Sequence, residues 1–174
     1  ARAVSLCEST LKFGKAEEPS PQLRAVPLAA LAEDVAEGEG LASDGAVMCL
    51  IEIAPDLVIR ADHEQLFRVL ANLLRNARQA IEATGQGGTI EISAGETPAE
   101  WWIRVGDTGP GLPEKAREHL FEAFQGGVRK GGTGLGLAIA AELVRGHGGQ
   151  LELARSDAEG TEFLIHLPKA IVTA

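Results

Sequence analysis

Cysteine is scarce in this chain of 174 residues: Cys7 and Cys49 are its only two, and they form no C-x-x-C pair. That excludes a disulfide framework and a cysteine zinc site, and it fits a reducing compartment, hence a cytoplasmic setting. No apolar run approaches the ~18 residues of a membrane span, and no signal-peptide pattern is present, so no membrane contact is expected of this segment. Basic residues are outnumbered, 16 Lys and Arg against 25 Asp and Glu, for a net charge of −9. Such a balance argues against a nucleic-acid partner, which needs a basic surface. Internal repeats are absent, and so is any strict βαβ alternation. A two-layer α/β sandwich with a mixed, mostly antiparallel sheet and helices on one face is therefore favoured over a doubly wound sheet.

What is present suffices for one sizeable core, with 45% of residues hydrophobic. Residues 1–13 carry Val4, Cys7 and Leu11 at helical spacing, and Glu17 to Pro21 reads as a linker. The chain opens at Ala1 in this helical pattern, so a fragment of a longer protein is expected. Pro27 opens a helix to about Ala36, and two strands, Val47–Ile53 and Leu57–Arg60, flank a turn at Pro55-Asp56. The strongest helix is predicted over Asp62–Ala83, with Asp62 as N-cap and Leu66, Leu70, Leu73, Leu74, Ala77, Ala80 and Ile81 as its apolar face. Strands follow at Thr89–Ala94 and Trp101–Val105, a short helix at Pro113–Phe121 and another helix at Thr133–Gly146. Leu151–Arg155 and Glu162–Leu167 form a closing hairpin.

Chemistry concentrates in four places. Gly131-Gly132-Thr133-Gly134-Leu135-Gly136-Leu137 crowds glycines ahead of an apolar helix. Glycine lets backbone N–H groups approach a ligand, and a helix N-terminus adds unpaired donors and a positive dipole end. This is a phosphate cradle, yet no Gly-Lys-Ser/Thr follows and the spacing is G-x-G-x-G, so it is neither a Walker A loop nor a dinucleotide fingerprint. On the long helix Asn72 and Asn76 share one face, with Gln79 three residues on. Their amide oxygens suit a cation and phosphates, as Mg²⁺ takes few protein oxygens and completes its shell with phosphate and water; capping or solvation explains them equally well in isolation. Asp107-Thr108-Gly109-Pro110-Gly111-Leu112 follows a strand. Its carboxylate makes an Asx-turn on the simplest reading, or accepts a hydrogen bond from an exocyclic amine, selecting adenine over guanine. Phe121 and Phe124 precede the glycine loop, and at least one of them is expected in the core.

Taken in order, these patches resemble the ATP-binding domain of sensor histidine kinases, in the superfamily that includes DNA gyrase, the 90-kilodalton heat-shock chaperone and MutL. The resemblance runs from about Pro27 to Pro168. Asn72 to Ala77 looks like the N box, Asp107 to Leu112 the first glycine box, Phe121 to Phe124 the F box and Gly132 to Leu137 the second glycine box. Gly160-Thr161-x-Phe163 with Leu167-Pro168 looks like the closing strand. The resemblance implies a Bergerat-type fold over 27–170, preceded over 1–26 by the end of a dimerisation and phosphoacceptor hairpin, with 171–174 as a tail. It implies ATP and Mg²⁺ as ligands. Asn76 would hold the metal, Asn72 would sit near the phosphates and Gln79 would join them. Asp107 would meet the adenine amine, and Gly109, Gly111, Leu112, Phe124 and Thr161 would complete the base pocket. Gly132, Thr133, Gly134, Leu135, Gly136 and Leu137 would cradle the phosphates. Gln125 to Gly131 would be a mobile lid, with Lys130 or Arg129 reaching the terminal phosphate.

Hydrolysing members of the superfamily carry glutamate where this chain has Asn72, and an amide cannot take a proton from water at neutral pH. Poor hydrolysis is expected, with the γ-phosphate held for a histidine and passed on to a response regulator. His63, His119, His147 and His166 do not fit the acceptor position, so that histidine is expected upstream, on a homodimerising hairpin of a parent protein with or without a membrane anchor. Ala123 and Gln125-Gly126-Gly127 depart from the family pattern around the lid. An ATPase clamp of the gyrase type and an anti-sigma-type serine kinase are the alternatives; Asn72 disfavours the first and the leading helical remnant the second.

Overall fold

The computed structural model describes residues 18–41, 45–118, 120–122 and 135–169. The expected helix over 1–13, Phe124, the lid with Arg129 and Lys130, Gly132, Thr133, Gly134, His119 and the tail lie outside the described residues.

In chain order the elements are β1 (Arg24–Pro27), α1 (Leu28–Gly38), β2 (Val47–Glu52), β3 (Val58–Ala61), α2 (His63–Glu82), β4 (Gly88–Glu96), β5 (Glu100–Asp107), α3 (Glu114–Glu118), α4 (Gly136–Gly146), β6 (Gln150–Asp157) and β7 (Gly160–Pro168). Five strands form one sheet in the order β2-β4-β5-β7-β6. Only β2 with β4 is parallel; the other pairings are antiparallel. A parallel pair needs a long crossover, and β3 with α2 provides it. The strands β2 and β3 flank the Pro55-Asp56 turn but do not pair with each other: β3 pairs antiparallel with β1 in a small second sheet. Strand β1 takes Pro27, which the sequence predicts as the opening of a helix: Pro27 ends the strand and caps α1, which starts at Leu28, and the strand exists only through its pairing with β3.

Helix α2 forms as its periodicity predicts. The Asp62 carboxylate caps it, accepting the Gln65 backbone N–H at 3.0 Å. All seven apolar residues of the expected face are buried, and Val69 joins them. Leu70 and Leu74 are fully buried, each contributing about 1.5–3 kcal/mol through loss of apolar surface from water. Against this helix layer the sheet turns Ile90, Ile92, Ile103, Val105, Phe163, Ile165 and Leu167, one from every second position. The opposite face of the same strands carries Thr89, Glu91, Ser93, Arg104 and Glu162, which line a shallow open depression. This is the two-layer arrangement, with the helices on one side of a mostly antiparallel sheet. Cys49 on β2 is buried, which pushes its thiol up to about 11 and leaves it unreactive at neutral pH.

Candidate functional site

Strand β5 ends on Asp107, which is buried and accepts the Gly109 N–H through Oδ1 at 2.8 Å. The Asx-turn is thus made, and it fixes a carboxylate inside the protein rather than in solvent. Gly109 brings this turn against α2: a Cβ there would lie 3.3 Å from that of Ala80 and 3.0 Å from Asp107 Oδ1. Gly111 has two reasons to be glycine. Its φ is +84°, and a Cβ would stand 2.3 Å from the Asp157 carbonyl oxygen. The Leu112 N–H donates to Ser156 Oγ at 2.7 Å, and that hydroxyl shares a hydrogen bond of 3.1 Å with Thr161 Oγ1. Thr161, itself buried, is the register partner of Asp107 across β5 and β7. Asp107, Gly109, Gly111, Leu112 and Thr161 therefore meet at one end of the sheet. Ser156 belongs with them and was not singled out from the sequence. The signal for it was the register of the closing hairpin, which places Ser156 opposite Thr161.

Asn72, Asn76 and Gln79 are half-buried on α2. Gly136, the first residue of α4, packs on Asn72, with an ideal Cβ 3.5 Å from Asn72 Oδ1. Leu135, Gly136 and Leu137 are half-buried at the head of α4, where the N-cap Leu135 makes no side-chain cap hydrogen bond. From Asn72 beside Gly136 to Ala80 beside Gly109 is eight residues of helix, about 12 Å. One helix face thus joins the glycine head of α4 to the buried carboxylate of β5, with Asn76 and Gln79 between. Phe124, Lys130, Gly132, Thr133 and Gly134 lie outside the described residues. Phe121 is core: its ring packs tilted against Phe163 at 6.2 Å.

Two of the described histidines are engaged elsewhere. His147 is buried, accepting the Asp62 N–H through Nε2 at 3.0 Å, so its proton sits on Nδ1 and is donated to the Leu143 carbonyl at 2.9 Å. His166 bridges Glu152 and Glu100 on the open sheet face at 2.9 and 3.0 Å, and these carboxylates, Glu152 foremost, raise its pKa. His63 is exposed at the start of α2. Among the described residues no cluster of three His, Cys, Asp or Glu stands ready for a metal ion. A cation at Asn76 would have an amide oxygen and the ligand's own oxygens, which is the donor set Mg²⁺ accepts.

The family model for histidine kinase-, DNA gyrase B- and HSP90-like ATPases matches residues 61–171. The chain belongs to this family. Members of the histidine kinase branch resemble it in sequence. It is 37% identical over 126 residues to the sensor protein DivL of Caulobacter vibrioides, covering 72% of this chain and 16% of DivL. It is 34% identical over 136 residues to the sensor histidine kinase TmoS of Ectopseudomonas mendocina, covering 75% of this chain and 14% of TmoS. The chain thus spans only a small part of the length of these curated relatives. The structure of full-length ShkA in complex with AMPPNP superposes with a TM-score of 0.74 at 27% identity, covering 99% of this chain and 37% of ShkA. The histidine kinase-like fold and its ATP-binding character thus follow from family membership. No described helix is long and apolar enough to cross a membrane.

Proposed function

We propose that this chain is the ATP-binding catalytic unit of a two-component sensor histidine kinase. It would present the γ-phosphate of ATP to a histidine upstream in the parent chain, on a dimeric helical hairpin, for relay to an aspartate of a response regulator. The observation that carries this reading is the single face of α2 that runs from the Asp107–Gly109 turn to the glycine head of α4. In this reading Asp107 accepts the adenine amine, and Gly109, Gly111, Leu112 and Thr161 shape the space for the base. Leu135 to Leu137 offer backbone N–H donors to the phosphates, joined by Gln79 and, from the lid, Lys130. Asn76 gives its amide oxygen to Mg²⁺, which when bound offsets charge on the β- and γ-phosphates. Asn72 stands where hydrolysing relatives have a base and cannot take a proton from water. The chain therefore protects the γ-phosphate while it waits for the incoming histidine, and positioning supplies the rate.

The relatives named as sensor kinases support the histidine as acceptor, and the AMPPNP complex of ShkA supports a nucleoside triphosphate as ligand. The test is incubation of the chain with γ-labelled ATP and Mg²⁺. Stoichiometric binding with negligible phosphate release and no acid-labile label on the chain is expected. Steady turnover, or label on one of its own histidines, would overturn the reading.

A further inference from the structure

Strand β6 changes register against β7 part-way along its length. Leu151 faces Ile165 and Leu153 faces Phe163, all on the helix side of the sheet. The pairing then slips by one residue between Leu153 and Arg155, so that Arg155 faces Glu162 and Ser156 faces Thr161. One extra residue in a strand is a β-bulge, and it reverses the side of the sheet on which the following side chains fall. Uninterrupted alternation would set Arg155 opposite Thr161 instead.

That difference bears on the site. Thr161 is flanked on its other side by Asp107 of β5, and two strand spacings amount to only about 10 Å. An arginine opposite Thr161 would hold its guanidinium within side-chain reach of the Asp107 carboxylate and take up the acceptor that an adenine amine needs. The bulge sends Arg155 to the open face of the sheet, where it approaches Glu162 at 3.6 Å.

Ser156 arrives in its place as a small uncharged group with one proton and two lone pairs. Its Oγ accepts the Leu112 N–H at 2.7 Å and lies 3.1 Å from Thr161 Oγ1. Leu112 and Thr161 are both buried. One hydroxyl thus ties the glycine turn after β5 to the closing hairpin. Backbone approach on either side leaves the tie little slack: a Cβ on Gly111 would run into the Asp157 carbonyl oxygen, and one on Gly160 into that of Asp107.

We propose that Ser156, turned toward the site by the bulge in β6, is a positioning residue that fixes Leu112 and Thr161 as a wall of the adenine pocket. It acts through those two residues, and on neither the phosphates nor the metal. The proposal rests on the ATP-binding reading above and deepens it at the base end.

Ser156→Ala is titrated calorimetrically with ATP, ADP and adenosine in Mg²⁺, and with ATP in EDTA. Loss of the hydroxyl removes the acceptor of the Leu112 N–H and the partner of Thr161. The dissociation constants of all three ligands are expected to rise by a common factor of about ten, while the gain that Mg²⁺ gives ATP stays within about two-fold of its value in the unaltered chain. Weaker ATP and ADP with unchanged adenosine would put Ser156 at the phosphate end and overturn the proposal. So would unchanged affinity for all three, whatever the urea midpoint, which would reduce Ser156 to a tie within the fold. Should Ser156→Ala fail to fold by circular dichroism, Ser156→Cys fills the same space with a weaker acceptor and faces the same comparisons. If the unaltered chain bound none of the three, the ATP-binding reading itself would fall.

Discussion

Asp107 shows how one side chain serves the fold and the site at once. Its Oδ1 closes the turn to Gly109, and that bond keeps a buried carboxylate at the end of β5. Replacement by asparagine keeps an oxygen for the turn and removes the charge that an adenine amine would meet. Asp107→Asn is expected to weaken ATP by about ten- to a hundred-fold, since hydrogen bonds to charged groups contribute ~1.5–3 kcal/mol; far-ultraviolet circular dichroism should be unchanged. Titration calorimetry reads the first and excludes a folding defect with the second. Asn76 makes a different demand. Asn76→Ala is expected to bind ATP with the same affinity in Mg²⁺ and in EDTA, whereas the unaltered chain binds more tightly with the metal. A residual Mg²⁺ enhancement in Asn76→Ala would assign the metal to other groups.

At the scale of elements, the N-terminus of α2 is a junction. Asp62 caps the helix, accepts the Gln22 N–H at 2.9 Å through its other oxygen, and offers its own N–H to His147 from the end of α4. Burial pulls its pKa upward, but the backbone bonds from Gln22 and Gln65 hold it below the usual carboxylate range. Asp62→Ala is expected to cost about 1 kcal/mol from the cap alone, measured as a shift in the urea midpoint without change in slope. This junction also marks where sequence reading succeeds and where it stops. The cap and the apolar stripe of α2 are legible because both are local: a period of 3.6 residues and a carboxylate three positions ahead of its donor. The four-residue strand β1, Arg-Ala-Val-Pro, has no period to read and becomes a strand only against β3. The parallel pairing of β2 with β4 is likewise invisible, because nothing in either strand encodes a neighbour some forty residues away. Ser156 escaped notice for the same reason. Its meaning comes from facing Thr161 and Leu112, one across a hairpin and the other from a distant loop.

For the whole molecule, the charged groups that matter to stability sit on the open face of the sheet. Glu152 and Glu100 raise the pKa of His166. A histidine whose folded value lies above its unfolded one, about 6.5, contributes stability that is complete below that value. The contribution is lost as pH rises through the folded value. Glu162 behaves in the opposite sense: the hydrogen bond from Arg104 lowers its pKa despite burial, so its contribution is present above the ordinary carboxylate range and is lost on acidification. Urea midpoints measured across neutral pH are therefore expected to fall with rising pH, and His166→Gln is expected to flatten that slope while leaving the acid limb unchanged. A variant whose slope matched the unaltered chain would show that His166 carries no linkage. Because this face lies across the sheet from the helices, the same substitution is expected to leave ATP affinity within about two-fold, a smaller change than loss of one typical hydrogen bond produces.

The account depends on Asp107 and Asn76 acting on one molecule, Asp107 from the β5 turn beside Ala80 and Asn76 from the middle of the same face of α2. Calorimetric titration of the unaltered chain with ATP and then GTP, each in Mg²⁺, tests that most directly. The account expects one ATP per chain and at least ten-fold weaker GTP, because the guanine carbonyl would face the Asp107 carboxylate with no proton between them. Equal affinity for the two nucleotides, or heat from neither, would contradict it.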